Sequence, residues 1–250
     1  MQLQGKHIVI TGAGSGVGAA IARLLDQQGA RLTILGRRVE AVQAVADSLT
    51  EAQGIAADVT DRDHFAAALE QARTVFGPID AAIANAGAVE SVPFRKMTGQ
   101  DWQACLDVNL TGCFNTFNLC IDDLLQQGEG RLVAVASTAG QRGYPYVSAY
   151  TAAKHGVIGL VKSLALELAK KHITVNAVCP GYTRTPLLEG SMQRIADSTG
   201  CSMAEAEAHL VKDNPQGRLV EPEEVAQGVL YLLTQTSVNG QSLTINGGEF

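Results

Sequence analysis

The sequence predicts a doubly wound α/β fold, a parallel sheet with helices on both faces. Three observations carry that expectation. Short, nearly uninterrupted apolar segments alternate along the chain with longer amphipathic ones, as they do when buried strands are covered by helices. The first apolar segment runs straight into a glycine-rich turn, "TGAGSGVG" at residues 11–18. The apolar segments end again and again in turn residues: Thr11, Asp58, Asn85, Ser137 and Pro180. In such sheets the carboxyl ends of the strands are where ligands bind.

The elements follow in order. "KHIVI" (6–10) is the first strand, and "GVGAAIARLLDQQGA" a helix closed by Gly29. "RLTIL" (31–35) is the second strand, followed by the helical "RVEAVQAVADSL". "GIAADV" (54–59) reads as a strand ending at Asp58, and "DHFAAALEQARTVFG" as a helix closed by Gly77. "IDAAIANAG" (79–87) is an apolar strand with a small-residue turn. Residues 101–127 read as one long helix, "GRLVAVAS" (130–137) as a strand, and residues 148–171 as another long helix. "ITVNAVCPG" (173–181) is a strand, and "SLTINGG" (242–248) the last one. Pro222 stands near the start of the final helix, "EPEEVAQGVLYLL". Residues 182–214 break the rhythm and are expected to form one or two helices or a lid inserted in a single domain spanning 1–250. There is no internal repeat and no low-complexity linker.

Composition narrows the function classes. The chain has 250 residues, 46% hydrophobic and 18% charged, enough for a sizeable core without disulfides or metal. A net charge of −6 argues against nucleic acid as the main partner, because phosphate binding needs a basic surface. The five cysteines show no CxxC spacing and no His/Cys pair at zinc spacing, so free thiols and no metal are expected. No apolar run approaches the ~18 residues of a membrane span, and the amino-terminal stretch has no long apolar region of the signal-peptide kind. A cytoplasmic protein acting on a small molecule is expected, with neither membrane nor nucleic acid as partner.

The turn at 11–18 lies between a strand and a helix, a context in which a glycine pattern has meaning. Glycines let the backbone approach a ligand closely. The start of the next helix offers free N–H groups and a positive dipole end to a pyrophosphate. Gly12, Ser15, Gly16, Val17 and Gly18 are therefore candidate cofactor contacts.

The spacing Gly-x-x-x-Gly-x-Gly resembles that of the short-chain dehydrogenases/reductases. The resemblance extends over essentially the whole chain through "ADV" (57–59), "NAG" (85–87), "DVNLTG" (107–112), "VASTAG" (135–140), "YTAAK" (150–154), "PGYTRTP" (180–186) and "NGQSLTINGG" (239–248). It implies a nicotinamide-dependent oxidoreductase. It places Asp58 at the adenine with Val59 beside it, and Asn85, Ala86 and Gly87 near the adenosine ribose. It also places Pro180, Gly181, Thr183 and Thr185 at the nicotinamide carboxamide and the phosphates. The resemblance alone makes Asn109 a fourth catalytic residue, positioning a water that links a lysine to solvent.

Tyr150 and Lys154 are four residues apart, on one face of a helix, and Ser137 ends the preceding strand. A phenol ionises only near pH 10 in isolation, at about its reference value, and a nearby ammonium favours the ionised form. Reducing a ketone by hydride transfer leaves an alkoxide that needs a proton. Tyr150 is the candidate donor, Ser137 the candidate hydrogen-bond donor to the carbonyl oxygen, and Lys154 the electrostatic partner. By resemblance Lys154 also binds the nicotinamide ribose.

After the second strand, an NAD-binding chain usually carries an acidic residue for the ribose. Here Gly36 stands there, followed by Arg37 and Arg38, which can pair with a 2′-phosphate. NADP(H) is favoured, with NAD(H) the alternative. Ser15 occupies a position where many NADP-dependent relatives carry a basic residue. "LLEGSMQRIADSTGCSMAEAEAHL" (187–210) and "AVCPGYTRTP" (177–186) are similar to the corresponding segments of 3-oxoacyl-thioester and polyketide ketoreductases, so a 3-oxoacyl thioester is the expected substrate. A small secondary alcohol or sugar is the alternative, and a non-catalytic dinucleotide-binding regulator is the alternative of another class. Relatives are commonly tetramers, so a homotetramer is expected, although "LLTQTSVNGQ" (232–241) is shorter than the family's usual connection, which helps pack subunits.

Overall fold

The alternating apolar segments form one parallel sheet in a computed structural model that describes the backbone of residues 1–250 and all side chains but those at positions 195 and 198. Its strands are β1 (His7–Thr11), β2 (Arg31–Gly36), β3 (Ala52–Ala56), β4 (Ala81–Ala84), β5 (Gly130–Val135), β6 (Ile173–Pro180) and β7 (Ser242–Ile245). They run in the order β3-β2-β1-β4-β5-β6-β7. Between them lie α1 (Gly16–Asp26), α2 (Val39–Ala46), α3 (Arg62–Phe76), α4 (Gly99–Leu106), α5 (Gly112–Gln127), α6 (Ser148–Leu168), α7 (Pro186–Thr199), α8 (Met203–Val211) and α9 (Pro222–Thr234).

Strand side chains alternate between two apolar layers, as the two-residue period of a strand requires. Ile8 and Ile10 face Ile21 and Leu25 of α1 and Val229 and Leu232 of α9. Val9 faces the other way, into a layer with Phe65, Leu69, Phe117 and Val161 from α3, α5 and α6. Strand order reverses between β1 and β4, where Ile10 pairs with Ile83. A sheet of this order opens a crevice at that switch point, above the carboxyl ends of the strands.

Three elements differ from the sequence expectation. β3 ends at Ala56 rather than Asp58, because the Asp58 carboxylate turns the chain by accepting from Thr60 N at 2.9 Å and Thr60 Oγ1 at 2.8 Å. The helix expected over 101–127 is broken by a wide π turn, Asp107–Thr111. The extra residue in that turn buries Asn109 and lets Gly112 pass close against Val59. The helix expected to reach 171 ends at Leu168 and tightens into a 3₁₀ turn over Ala169–Lys171.

The segment 182–214 holds two capped helices. The Thr185 side chain accepts from Leu188 N before α7, and Ser202 and Glu205 form a reciprocal capping box at α8. The short connection before β7 is tied down by two side-chain amides: Asn239 Oδ1 accepts from Val175 N at 2.8 Å, and the buried Asn176 donates from Nδ2 to Val238 O at 2.8 Å. No helix among the described residues is long and apolar enough to cross a membrane. All five cysteines are free thiols.

Candidate active site

The glycine turn and the β4 turn meet at the switch point. A Cβ on Gly12 would stand 2.7 Å from Ala86 Cα, and one on Gly18 2.6 Å from Asn85 Nδ2 and 2.7 Å from Ala13 Cα. Such separations are closer than atoms pack, so these positions hold backbone against backbone. Asn85 secures the contact by donating from Nδ2 to Thr11 O at 2.9 Å and Gly12 O at 3.1 Å. Thr11 Oγ1 accepts in turn from Asn85 N and Ala86 N, both at 3.1 Å. α1 then starts at Gly16 with no side-chain cap and no acidic residue in its first turn. Its N–H groups and positive end are left for an anion.

Across the crevice, β5 and α6 carry the polar group. Ser137 follows β5 in extended conformation, and its Oγ accepts from Ala139 N at 3.1 Å. That leaves the hydroxyl proton able to donate elsewhere. Tyr150 and Lys154 lie one turn apart on α6, with Lys154 Nζ 5.5 Å from the centre of the Tyr150 ring. Lys154 is 4% exposed, and its ammonium donates to Val135 O at 2.9 Å. An ammonium has three donors, and no ion pair forms with Lys154 among the described residues. A buried cation with donors still to satisfy fits a ribose.

Asn109 sits in the π turn, 1% exposed. Its Nδ2 donates to Ala88 O at 2.8 Å and Cys105 O at 3.0 Å, and its Oδ1 accepts from Ala88 N at 3.3 Å. Gly87 lies between it and the lysine: a Cβ there would be 2.9 Å from Asn109 Oδ1 and 3.7 Å from Lys154 Nζ. Asn109 thus clamps the loop after β4 beside Lys154.

These groups line a cavity of about 390 Å³. Of the residues singled out from the sequence, it brings together Gly12, Ser15, Gly16, Val17, Asn85, Ala86, Gly87, Ser137, Tyr150, Lys154, Pro180, Gly181, Thr183 and Thr185. Asn109 and Gly18 stand behind that lining. Arg37, Arg38, Asp58 and Val59 do not line it. The two arginines follow β2 on the exposed surface, and neither forms an ion pair among the described residues. Burial would raise the Asp58 carboxyl, but the two Thr60 hydrogen bonds and the Arg37 charge hold it below its ordinary range. Val59 turns its side chain into the core.

The cavity continues between the loop after β5 and the two helices of 182–214. Tyr144, Tyr182, Leu187 and Leu210 line that end. Tyr146 is exposed, and Gln141 is bound to Thr244, so neither contributes to it. Ala88, Val89 and Ser91 after β4 also line the cavity. No motif announced them; the loop is held at Ala88 by Asn109 and at its far end by Val92 N, which donates to Tyr146 O at 2.7 Å.

The model of the short chain dehydrogenase family matches residues 6–195. The chain belongs to the short-chain dehydrogenases. It is an oxidoreductase of a family that uses a nicotinamide cofactor. It is 37% identical over 258 residues to the 3-oxoacyl-[acyl-carrier-protein] reductase of Thermotoga maritima, covering 99% of each chain. It is 39% identical over 249 residues to the cyclohexanol dehydrogenase of an Acinetobacter species, covering 97% of this chain and 94% of the relative. Among solved structures, an actinorhodin polyketide ketoreductase variant with NADPH superposes with a TM-score of 0.94 at 34% identity, covering 98% of this chain and 97% of the other. In this short-chain dehydrogenase the uncapped start of α1, the close-packed glycines and the buried Lys154 ammonium suit a dinucleotide.

Proposed function

We propose that the protein transfers a hydride between NADP(H) and a carbonyl or secondary alcohol, the preferred pair being a 3-oxoacyl and a 3-hydroxyacyl thioester. One observation carries this reading: Ser137, Tyr150 and Lys154 share a cavity with the glycine turn. The nicotinamide, when bound, supplies or accepts the hydride. Ser137 donates a hydrogen bond to the substrate oxygen and stabilises the charge that develops there. Tyr150 delivers the proton to that oxygen in reduction and removes it in oxidation. Lys154 binds the cofactor ribose and supplies positive charge beside Tyr150. Asn109 holds the loop at Ala88 and keeps a proton path open beside Lys154.

The apolar end of the cavity supports an acyl substrate, with residues 182–214 as its lid. Arg37 and Arg38 support a 2′-phosphate, and Asp58 and Val59 would flank the adenine. On this reading the protein is a cytoplasmic homotetramer, and exposed Phe114 and Leu166 offer apolar surface for subunit contact. Likeness to the cyclohexanol dehydrogenase favours a second reading, oxidation of a small cyclic alcohol.

The test is the rate of NADPH and of NADH oxidation by the pure protein with acetoacetyl-CoA. Turnover that prefers NADPH supports both the thioester and the arginine assignments. Turnover with NADH alone removes the NADP(H) assignment. No turnover with acetoacetyl-CoA, alongside oxidation of cyclohexanol, moves the protein to the second reading.

A further inference from the structure

Glu249 belongs to no motif, yet its carboxylate is buried behind the substrate end of the cavity, with its side chain 6% exposed. The chain reaches this place through a turn at Gly247 and Gly248, whose φ values of +67° and +88° suit glycine. A carboxylate out of water is costly unless it is bonded. Tyr144 Oη donates to Glu249 Oε1 at 2.8 Å, and the Arg142 guanidinium lies 3.6 Å from the same oxygen. Arg142 also stacks over the Tyr144 ring at 4.8 Å and the Phe250 ring at 5.1 Å.

The acceptor-only carboxylate sets the direction of the bonds next to it. Burial pushes the Tyr144 phenol up, so it keeps its proton and donates it to Glu249. Its oxygen is then left to accept from the hydroxyl of Thr138, 2.9 Å away and the residue after Ser137. Tyr144 packs edge-on against Tyr182 with ring centres 6.2 Å apart, and both rings line the cavity. With its hydroxyl turned back to Glu249, Tyr144 shows the cavity a ring and no free polar atom.

We infer that Glu249 is a positioning residue: it fixes Tyr144 as an apolar wall and so selects carbonyl substrates with an apolar group beside the carbonyl. The inference rests on the reading of the cavity as a carbonyl-reducing site, and its test separates the two. Steady-state kinetics with NADPH and acetoacetyl-CoA are measured for wild type, Glu249→Ala, Glu249→Gln, Tyr144→Phe and the double variant Glu249→Ala/Tyr144→Phe. Glu249→Ala is expected to raise KM for the thioester about tenfold and to leave kcat within about twofold, the size of one lost charge-assisted bond. Glu249→Gln restores KM because its amide oxygen accepts from Tyr144, and the double variant is no worse than the worse single one.

Tryptic cleavage after Arg142 reads the contacts of Arg142 and Tyr144 with Glu249 without turnover. It is expected to be slow in wild type and Glu249→Gln, and several-fold faster in Glu249→Ala. Unchanged cleavage, additive effects in the double variant, or a joint fall in kcat and NADPH affinity would overturn the role of Glu249. Absence of wild-type turnover with acetoacetyl-CoA, with cleavage as expected, overturns the thioester reading and the substrate selection that rests on it, while the hold of Glu249 on Tyr144 stands.

Discussion

Lys154 Nζ donates to the carbonyl oxygen of Val135, the last residue of β5, at 2.9 Å. The bond joins α6 to the strand that presents Ser137 two residues later, so one cation ties both halves of the proposed catalytic group together. Lys154→Met removes the charge and leaves the length of the side chain. It is expected to lower kcat/KM by about 10²-fold or more, the scale of a lost acid–base component, and to weaken NADPH binding. Loss of the bond to Val135 costs about 1–3 kcal/mol of stability. Unaltered turnover in a folded Lys154→Met protein would remove the lysine from the mechanism.

Tyr150→Phe deletes only the hydroxyl. The expected result is cofactor affinity close to wild type and turnover reduced by about 10²–10⁴-fold. Fluorescence titration with NADPH and initial rates on the same preparation check it. Equal losses in binding and turnover would mean that the hydroxyl serves to hold the cofactor and not to transfer a proton.

Gly18→Ala tests the close approach at the switch point. The new methyl would stand 2.6 Å from Asn85 Nδ2 and 2.7 Å from the backbone at Ala13 and Gly12. Backbone cannot move aside as a flexible side chain can, so the variant is expected to lose about 1–3 kcal/mol, the usual cost of overpacking. It should also lose NADPH binding. Gly143→Ala serves as the control, because nothing lies within 4 Å of its position for a Cβ. Chemical denaturation with and without NADPH separates the two effects, and equal behaviour of the two variants would refute the steric argument.

What could be read from the sequence was local. The strand–turn–helix at Gly12 to Gly18 and the pair Tyr150 and Lys154 are fixed by spacing along one or two elements, and the structure places them around one cavity. Features set by distant packing could not be read. The π turn at Asn109 depends on Gly112 meeting Val59 from another loop. Glu249 takes its meaning from Tyr144, 105 residues away in sequence. The end of β3 shows the same limit at short range: "GIAADV" looks like a strand throughout, but the Asp58 side chain competes for the backbone of Thr60 and turns the chain first.

Arg37 lies near Asp58, whose carboxyl feels its charge, and forms no ion pair among the described residues. A guanidinium in that state is available to a 2′-phosphate. Arg37→Ala is expected to raise KM for NADPH about tenfold, the loss of one charge-assisted contact, and to change KM for NADH by less than about twofold. The NADPH effect should shrink in high salt, which screens exposed charge. A parallel rise for both cofactors would assign Arg37 to local structure.

His7 links the fold to pH. Its Nδ1 lies 2.9 Å from Gly77 O and its Nε2 2.9 Å from Thr33 Oγ1, and Gln53 Nε2 donates to that same hydroxyl at 3.0 Å. The neutral ring suits this chain, donating to Gly77 and accepting from Thr33. Burial lowers the imidazole below its ordinary 6.5, against smaller opposing effects from the Gly77 carbonyl and the Asp80 charge. As pH falls through 6.5 the unfolded chain takes up a proton that the native chain refuses. The stability that comes from a neutral His7 is therefore complete above that pH and is lost as pH falls toward the folded value. Its slope in that window is at most about 1.4 kcal/mol per pH unit. His7→Gln retains a donor and an acceptor without a titrating proton. Urea midpoints at about pH 7.5, 6.5 and 5.5, spanning the ordinary histidine range, should show wild type losing more stability than the variant at the acid end. Parallel loss in the two proteins would place the acid sensitivity elsewhere.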